Sequence, residues 1–97
     1  MKRKIYIKQK TFKYASLKGT VFFFCNKNED GEMEFLTQCE KRQGQWHIWK
    51  GEESFPIYKG DELDMNIIEN NIKEQIKEKE NIETEIEFVG LKKITNN

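Results

Sequence analysis

The sequence predicts an α+β domain: an antiparallel or mixed sheet of four to six strands with one long amphipathic helix packed on a face. Three observations carry this. Residues 60–82, GDELDMNIIENNIKEQIKEKENI, hold the clear helical period of the chain. With Met65 at zero and 100° per residue, Ile68, Ile72 and Ile76 fall with it inside an arc of about 80°. On either side of that segment apolar residues alternate with period two, as half-buried strands do. Ninety-seven residues, 12% of them aromatic, make a single domain, 1–97, with a modest core of its own.

Taken in order, residues 1–19 carry Lys2, Arg3, Lys4, Lys8, Lys10, Lys13 and Lys18 and no acid. Ile5 and Ile7 alternate with Lys4, Tyr6 and Lys8, and Phe12, Tyr14 and Ser16 alternate with Lys13 and Ala15. One or two short strands with lysines facing water fit this pattern. The segment TVFFFCN, 20–26, is apolar on both faces and reads as a central strand. NKNEDGE turns the chain and 32–39 returns. With Asp30-Gly31 as a two-residue turn, Cys25 faces Leu36 and Cys39 faces Phe22. That register puts Phe22, Phe24 and Phe35 on one face, and Phe23, Cys25 and Leu36 on the other. The two cysteines then lie on opposite faces as reduced core thiols. KRQGQ is a second turn, and QWHIWK, 45–50, is a third strand in which His47 is a surface or cross-strand neighbour.

Residues 51–60 form the longest irregular stretch, with a short strand at Phe55–Tyr58. The helix is expected at about 62–80. Asp61, Glu62 and Asp64 crowd its N-terminus and Lys77 and Lys79 its last turns, both favoured by the backbone dipole. Asn81 is its left-handed stop. Ile82, Thr84, Ile86 and Phe88 then alternate with Glu83, Glu85 and Glu87 in a strand with an acidic outer face. Leu91 and Ile94 continue the sheet.

The chemistry is sparse. His47 is the sole histidine, there is no Cys-x-x-Cys pair, and the glycines form no phosphate-cradling pattern, so no catalytic residue, metal ligand or cofactor site is assigned. No apolar run reaches membrane-span length and the basic opening lacks a signal-peptide core; a cytoplasmic protein without membrane contact is expected. Lys, Glu, Ile and Asn supply 48 of 97 residues, a bias that points to an AT-rich bacterial, phage or mobile-element source.

Charge is the strongest functional signal. The formal net charge is zero, yet residues 1–19 carry +7 and residues 52–87 carry 12 acids against 4 lysines. Such separation suits steering toward a charged partner, or pairing of the two regions inside the fold. The acidic side, Glu74, Glu78, Glu83, Glu85 and Glu87, is expected to dock a basic protein partner. The molecule then acts as a small non-catalytic inhibitor or regulator of a nucleic-acid-handling protein. The basic side, Lys2, Arg3, Lys4, Lys8 and Lys10, offers the alternative of tracking nucleic-acid phosphates, with Tyr6, Phe12 and Tyr14 available for stacking.

From Gly60 the spacing also resembles the Nudix box. Aligned without a gap, Asn66 falls at the first glutamate and Glu74 at the arginine. Gln75 falls at the next glutamate, Ile76 at the apolar position, Glu78 and Lys79 at the glutamate pair, and Asn81 at the second glycine. The hairpin around 20–46 and the strand EFVGLKKI resemble that family's flanking strands, so the resemblance spans roughly residues 14 to 94. It implies a nucleotide hydrolase or a nucleotide-binding pseudoenzyme in which Mg²⁺ is held by box carboxylates. Asn66, Gln75 and Lys79 remove three of those carboxylates and leave Glu78, which implies a lost metal site.

Overall fold

A computed structural model describes residues 2–15, 17–51 and 55–90, with the backbone alone for Phe12, Tyr14, Leu17 and Lys18. The chain runs β1 (Lys2–Tyr14), β2 (Leu17–Lys27), β3 (Met33–Arg42), β4 (Gln45–Lys50), β5 (Tyr58–Gly60), α1 (Met65–Glu80) and β6 (Glu85–Val89). One curled, mixed sheet has the order β5-β4-β3-β2-β1-β6. Neighbours are antiparallel except β1 and β6, which run parallel with Lys2 opposite Glu85 and Tyr6 opposite Val89. The expected sheet of four to six strands with one packed helix is what the chain forms.

The helix covers one face. Ile68, Ile72 and Ile76 are buried against Ile5, Ile7, Phe22, Phe24, Leu36, Cys39, Trp46 and Ile48, with Leu63 closing the cluster. Each fully buried isoleucine contributes roughly 1.5–3 kcal/mol by leaving water. The helix begins at Met65 rather than 62, because Asp64 is the N-cap. Its carboxylate accepts from the backbone N–H of Asn66 at 2.9 Å and of Ile67 at 3.3 Å. Leu63 sits just before that cap and packs with Ile68 in the same cluster, which fixes the angle of entry. Asn81 ends the helix in the left-handed region at φ 58, its N–H donating to the Lys77 carbonyl at 2.8 Å.

The strands depart from the sequence reading in several places. The N-terminal segment is one 13-residue strand. The β2–β3 loop is not a two-residue Asp30-Gly31 turn. Gly31 N–H donates to the Asn28 carbonyl at 3.0 Å and Asn28 N–H to the Glu32 carbonyl at 2.9 Å, so three residues span the loop, with Gly31 at φ 83. Lys27 therefore pairs with Met33 and Cys25 with Phe35, until a bulge at Leu36 restores Phe24 opposite Thr37 and Phe22 opposite Cys39. Phe35 and Leu36 exchange the faces assigned to them: Leu36 joins the helix-side core, and Phe35 stands with Phe23 on the other side, rings 5.8 Å apart. Both thiols are free and buried on opposite faces; burial pushes Cys39 up to about 12 and raises Cys25 as well.

The short strand expected at Phe55–Tyr58 lies at Tyr58–Gly60, leaving Phe55 81% exposed. The acidic strand pairs only over Glu85–Val89. Gly90 follows it at φ 125, where a Cβ would stand 2.6 Å from the Ile7 carbonyl oxygen, so only glycine lets the chain run this close to β1. The continuation expected at Leu91 and Ile94 lies outside the described residues.

Candidate nucleic-acid interface

Strand β1 divides its cations between two surfaces. Its odd residues Ile5 and Ile7 point to the helix, and Arg3 goes with them: its guanidinium donates to both carboxylate oxygens of Glu80, at 2.5 and 2.8 Å. That fork holds the Glu80 carboxyl below its ordinary range and raises Arg3. Lys2, Lys4, Lys8 and Lys10 are exposed on the opposite face, away from α1. Lys2 reaches Glu87 at 3.9 Å, in a geometry too open and too exposed to fix either side chain.

At the end of the sheet, Lys2, Arg3 and Lys4 meet residues far away in sequence. With Tyr6, Asn26, Lys27, Asn28, Glu29, Glu34, Lys79 and Glu80 they line an open hollow of about 610 Å³. Two of its acids are engaged, Glu80 by Arg3 and Glu34 by Lys79. Lys4 and Lys27 remain with the amides of Asn26 and Asn28 and the phenol of Tyr6, a set that suits a phosphate beside a flat ring. Lys27 and Lys79 were not legible as members, because only the β1–β2 pairing and the end of α1 bring them there.

The hollow opens onto the outer face of the sheet through Tyr6. Cross-strand register arranges that face in rows about 7 Å apart. One row runs Tyr6, Cys25, Phe35; the next Lys8, Phe23, Gln38, Trp49; the third Lys10, Val21, Glu40, His47, Lys59. Tyr6, Phe23, Phe35, His47 and Trp49 are half-buried, so part of each ring meets solvent. His47 lies nearly parallel to Trp49 (centroids 5.6 Å, 16°), and the Arg42 guanidinium stands 5.3 Å from the Trp49 ring. His47 Nδ1–H donates to the Gln45 carbonyl at 3.1 Å. Glu40, the buried acid of this face, is paired with Arg42 at 2.7 Å. No protein-family model, curated protein or solved structure matches the chain.

The acidic residues fall elsewhere. Glu85 and Glu87 are exposed beside Lys2 and Lys4 on β6. Glu74, Glu78 and Glu83, with Lys73, Lys77 and Thr84, line a second open groove of about 440 Å³. Lys77 stands 4.0 Å from Glu83 there. Gln75, at a position where the Nudix box has a glutamate, donates instead to the Leu36 carbonyl at 3.1 Å, to Thr37 Oγ1 and to Asn71 Oδ1, and so ties α1 to β3. Among the described residues no three His, Cys, Asp or Glu side chains converge as a metal site, and no helix is long and apolar enough to cross a membrane.

Proposed function

We propose that this is a non-catalytic nucleic-acid-binding domain that engages phosphates with the basic end of its sheet. The observation that carries the reading is the hollow, where Lys2, Lys4 and Lys27 gather beside Tyr6 while two of its three acids, Glu80 and Glu34, are paired with Arg3 and Lys79, leaving Glu29. Lys8 and Lys10 extend the same positive track along β1. A binding role rather than hydrolysis is supported by α1, whose Gln75 and Lys79 anchor the helix to the sheet. The test is a salt titration of oligonucleotide binding by fluorescence anisotropy. Replacing Lys2, Lys4 and Lys27 by glutamine should weaken binding to all sequences alike. It should also flatten the dependence of log affinity on log salt by roughly 0.7 for each single-strand phosphate that is no longer neutralised. An unchanged slope, or no binding by the parent protein at low salt, would refute the reading.

A second reading is favoured by the groove of Glu74, Glu78 and Glu83. A basic nucleic-acid-handling protein would set an arginine or lysine between those carboxylates, and the domain would act as its regulator. Of the acids expected to dock a partner, Glu74, Glu78 and Glu83 line this groove, while Glu85 and Glu87 stand beside Lys2 and Lys4.

A further inference from the structure

We propose that the outer face of the sheet is a base-stacking platform, so that the ligand is a single strand rather than a duplex. This rests on the nucleic-acid reading above and specifies the form of the ligand. The face has an aromatic centre flanked by cations, with Glu85 and Glu87 lying beyond Lys2 and Lys4 on the edge strand β6. Tyr6, Phe35, Phe23 and Trp49 stand in two adjacent rows on four successive strands, while Lys4, Lys8 and Lys10 edge them on one side and Lys59 and Arg42 on the other. Aromatic rings accept any base on their π-faces, and cations at the rim take the phosphates that connect those bases. The acid in the middle, Glu40, has its charge answered by Arg42 and is 4% exposed, so it presents little repulsion. Arg42 is 62% exposed and keeps its Nε on Glu40, so its remaining N–H groups are presented to a phosphate beside the Trp49 ring.

Shape favours the same ligand. Six strands at about 4.8 Å spacing make a surface about 24 Å wide, twice the width of the major groove, so this face cannot enter a duplex. Within the described part of the sheet, the far end of the β1–β2 pair, a two-stranded ribbon beyond the last β3 partner at Val21, is narrow enough to do so. Duplex binding is therefore the competing outcome, and a different surface would carry it.

The experiment compares oligo(dT) and oligo(rU) 12-mers with a 12-base-pair duplex at one low salt concentration, by anisotropy. The parent protein should bind the single strands at least tenfold more tightly than the duplex. Phe35→Leu and Tyr6→Leu keep apolar bulk and remove the π-face. Each should weaken single-strand binding by about 5- to 150-fold, the range equivalent to 1–3 kcal/mol for one base left unstacked. Circular dichroism checks that the variants fold, and Trp49→Leu replaces Phe35→Leu if that variant does not. Equal binding of duplex and single strand with unaltered affinity in the leucine variants overturns the platform while leaving the phosphate-binding reading in place. Failure to bind any oligonucleotide, with binding of an arginine-rich peptide instead, overturns both and points to the acidic groove.

Discussion

Ile72 has no exposed surface and stands at the middle of the stripe that α1 lays on the sheet, between Ile68 and Ile76. Truncation to alanine loses its burial and leaves a cavity among Phe24, Leu36 and their neighbours, so Ile72→Ala should cost about 2–5 kcal/mol. Lys73 is the next residue but faces the groove on the helix flank, and Lys73→Ala should change stability by less than about 0.5 kcal/mol. Chemical denaturation of the two variants gives the comparison, and equal midpoints would refute it. The isoleucine stripe was legible because helical period is a local property, written in consecutive residues. The face of Phe35 was not. It depends on a loop one residue longer than the Asp30-Gly31 pair implies and on a bulge at Leu36, and neither alters the alternating pattern of EMEFLTQC. Alternation thus placed Phe22 opposite Cys39 correctly, beyond the bulge, and exchanged Phe35 with Leu36 inside it. Among the described residues one buried side-chain polar group has no partner, the indole N–H of Trp46, of the kind whose desolvation costs about 1–3 kcal/mol.

Helix α1 is fixed to the sheet at three levels along its length. Asp64 and Leu63 set its start, Gln75 bonds its middle to β3, and at its end Glu80 receives the Arg3 fork from β1. The last of these is sensitive to pH. The Glu80 carboxyl is held below its ordinary value of 4.5 chiefly by hydrogen bonding to Arg3, with burial opposing and the charges of Arg3 and Lys79 adding to it. A depressed folded value stabilises the folded state above the unfolded value, and the contribution disappears as pH falls through the folded one. The parent should therefore melt above Glu80→Gln at pH 7. The gap should shrink as pH drops below about 4.5 and vanish once Glu80 is protonated in both states. A gap constant down to pH 2 would show that the fork contributes packing alone. The caps of this helix were legible because they use side chains within a few residues of the helix ends; the Arg3 fork joins residues 77 positions apart and leaves no local mark.

Across the molecule, the two oppositely charged regions of the sequence are partly folded onto one another. The parallel register sets Glu85 beside Lys2 and Glu87 beside Lys4. Alternation alone implies that reversing Glu83, Glu85 and Glu87 to lysine leaves the fold intact, since all three are exposed. The register revises this for two of them. Glu85→Lys with Glu87→Lys sets like charges side by side across β1–β6 and should lower the melting temperature by an amount that shrinks in high salt, about 0.2–1 kcal/mol for each pair. Glu83→Lys, on a side chain 90% exposed and outside the ladder, should leave the melting temperature unchanged. If the second functional reading holds, it should slow association of an arginine-rich peptide at low salt. Melting curves at two salt concentrations and stopped-flow association measure these effects. Composition and alternation made the charges legible, but which strand lies beside β1 is decided by the path from β5 through α1 to the far edge.

That path also sets the order of events during synthesis. β1 gains its antiparallel partner as soon as residues 17–27 exist, but its other edge has nothing to bind until Glu85–Val89 have been made, and closing so large a loop is slow. During that interval the nascent domain presents an open strand edge, the template on which chains pair wrongly with one another. The lysines at 2, 4, 8 and 10 lie along that strand. Whatever they bind in the finished protein, their mutual repulsion between chains keeps the edge free for the strand that arrives last.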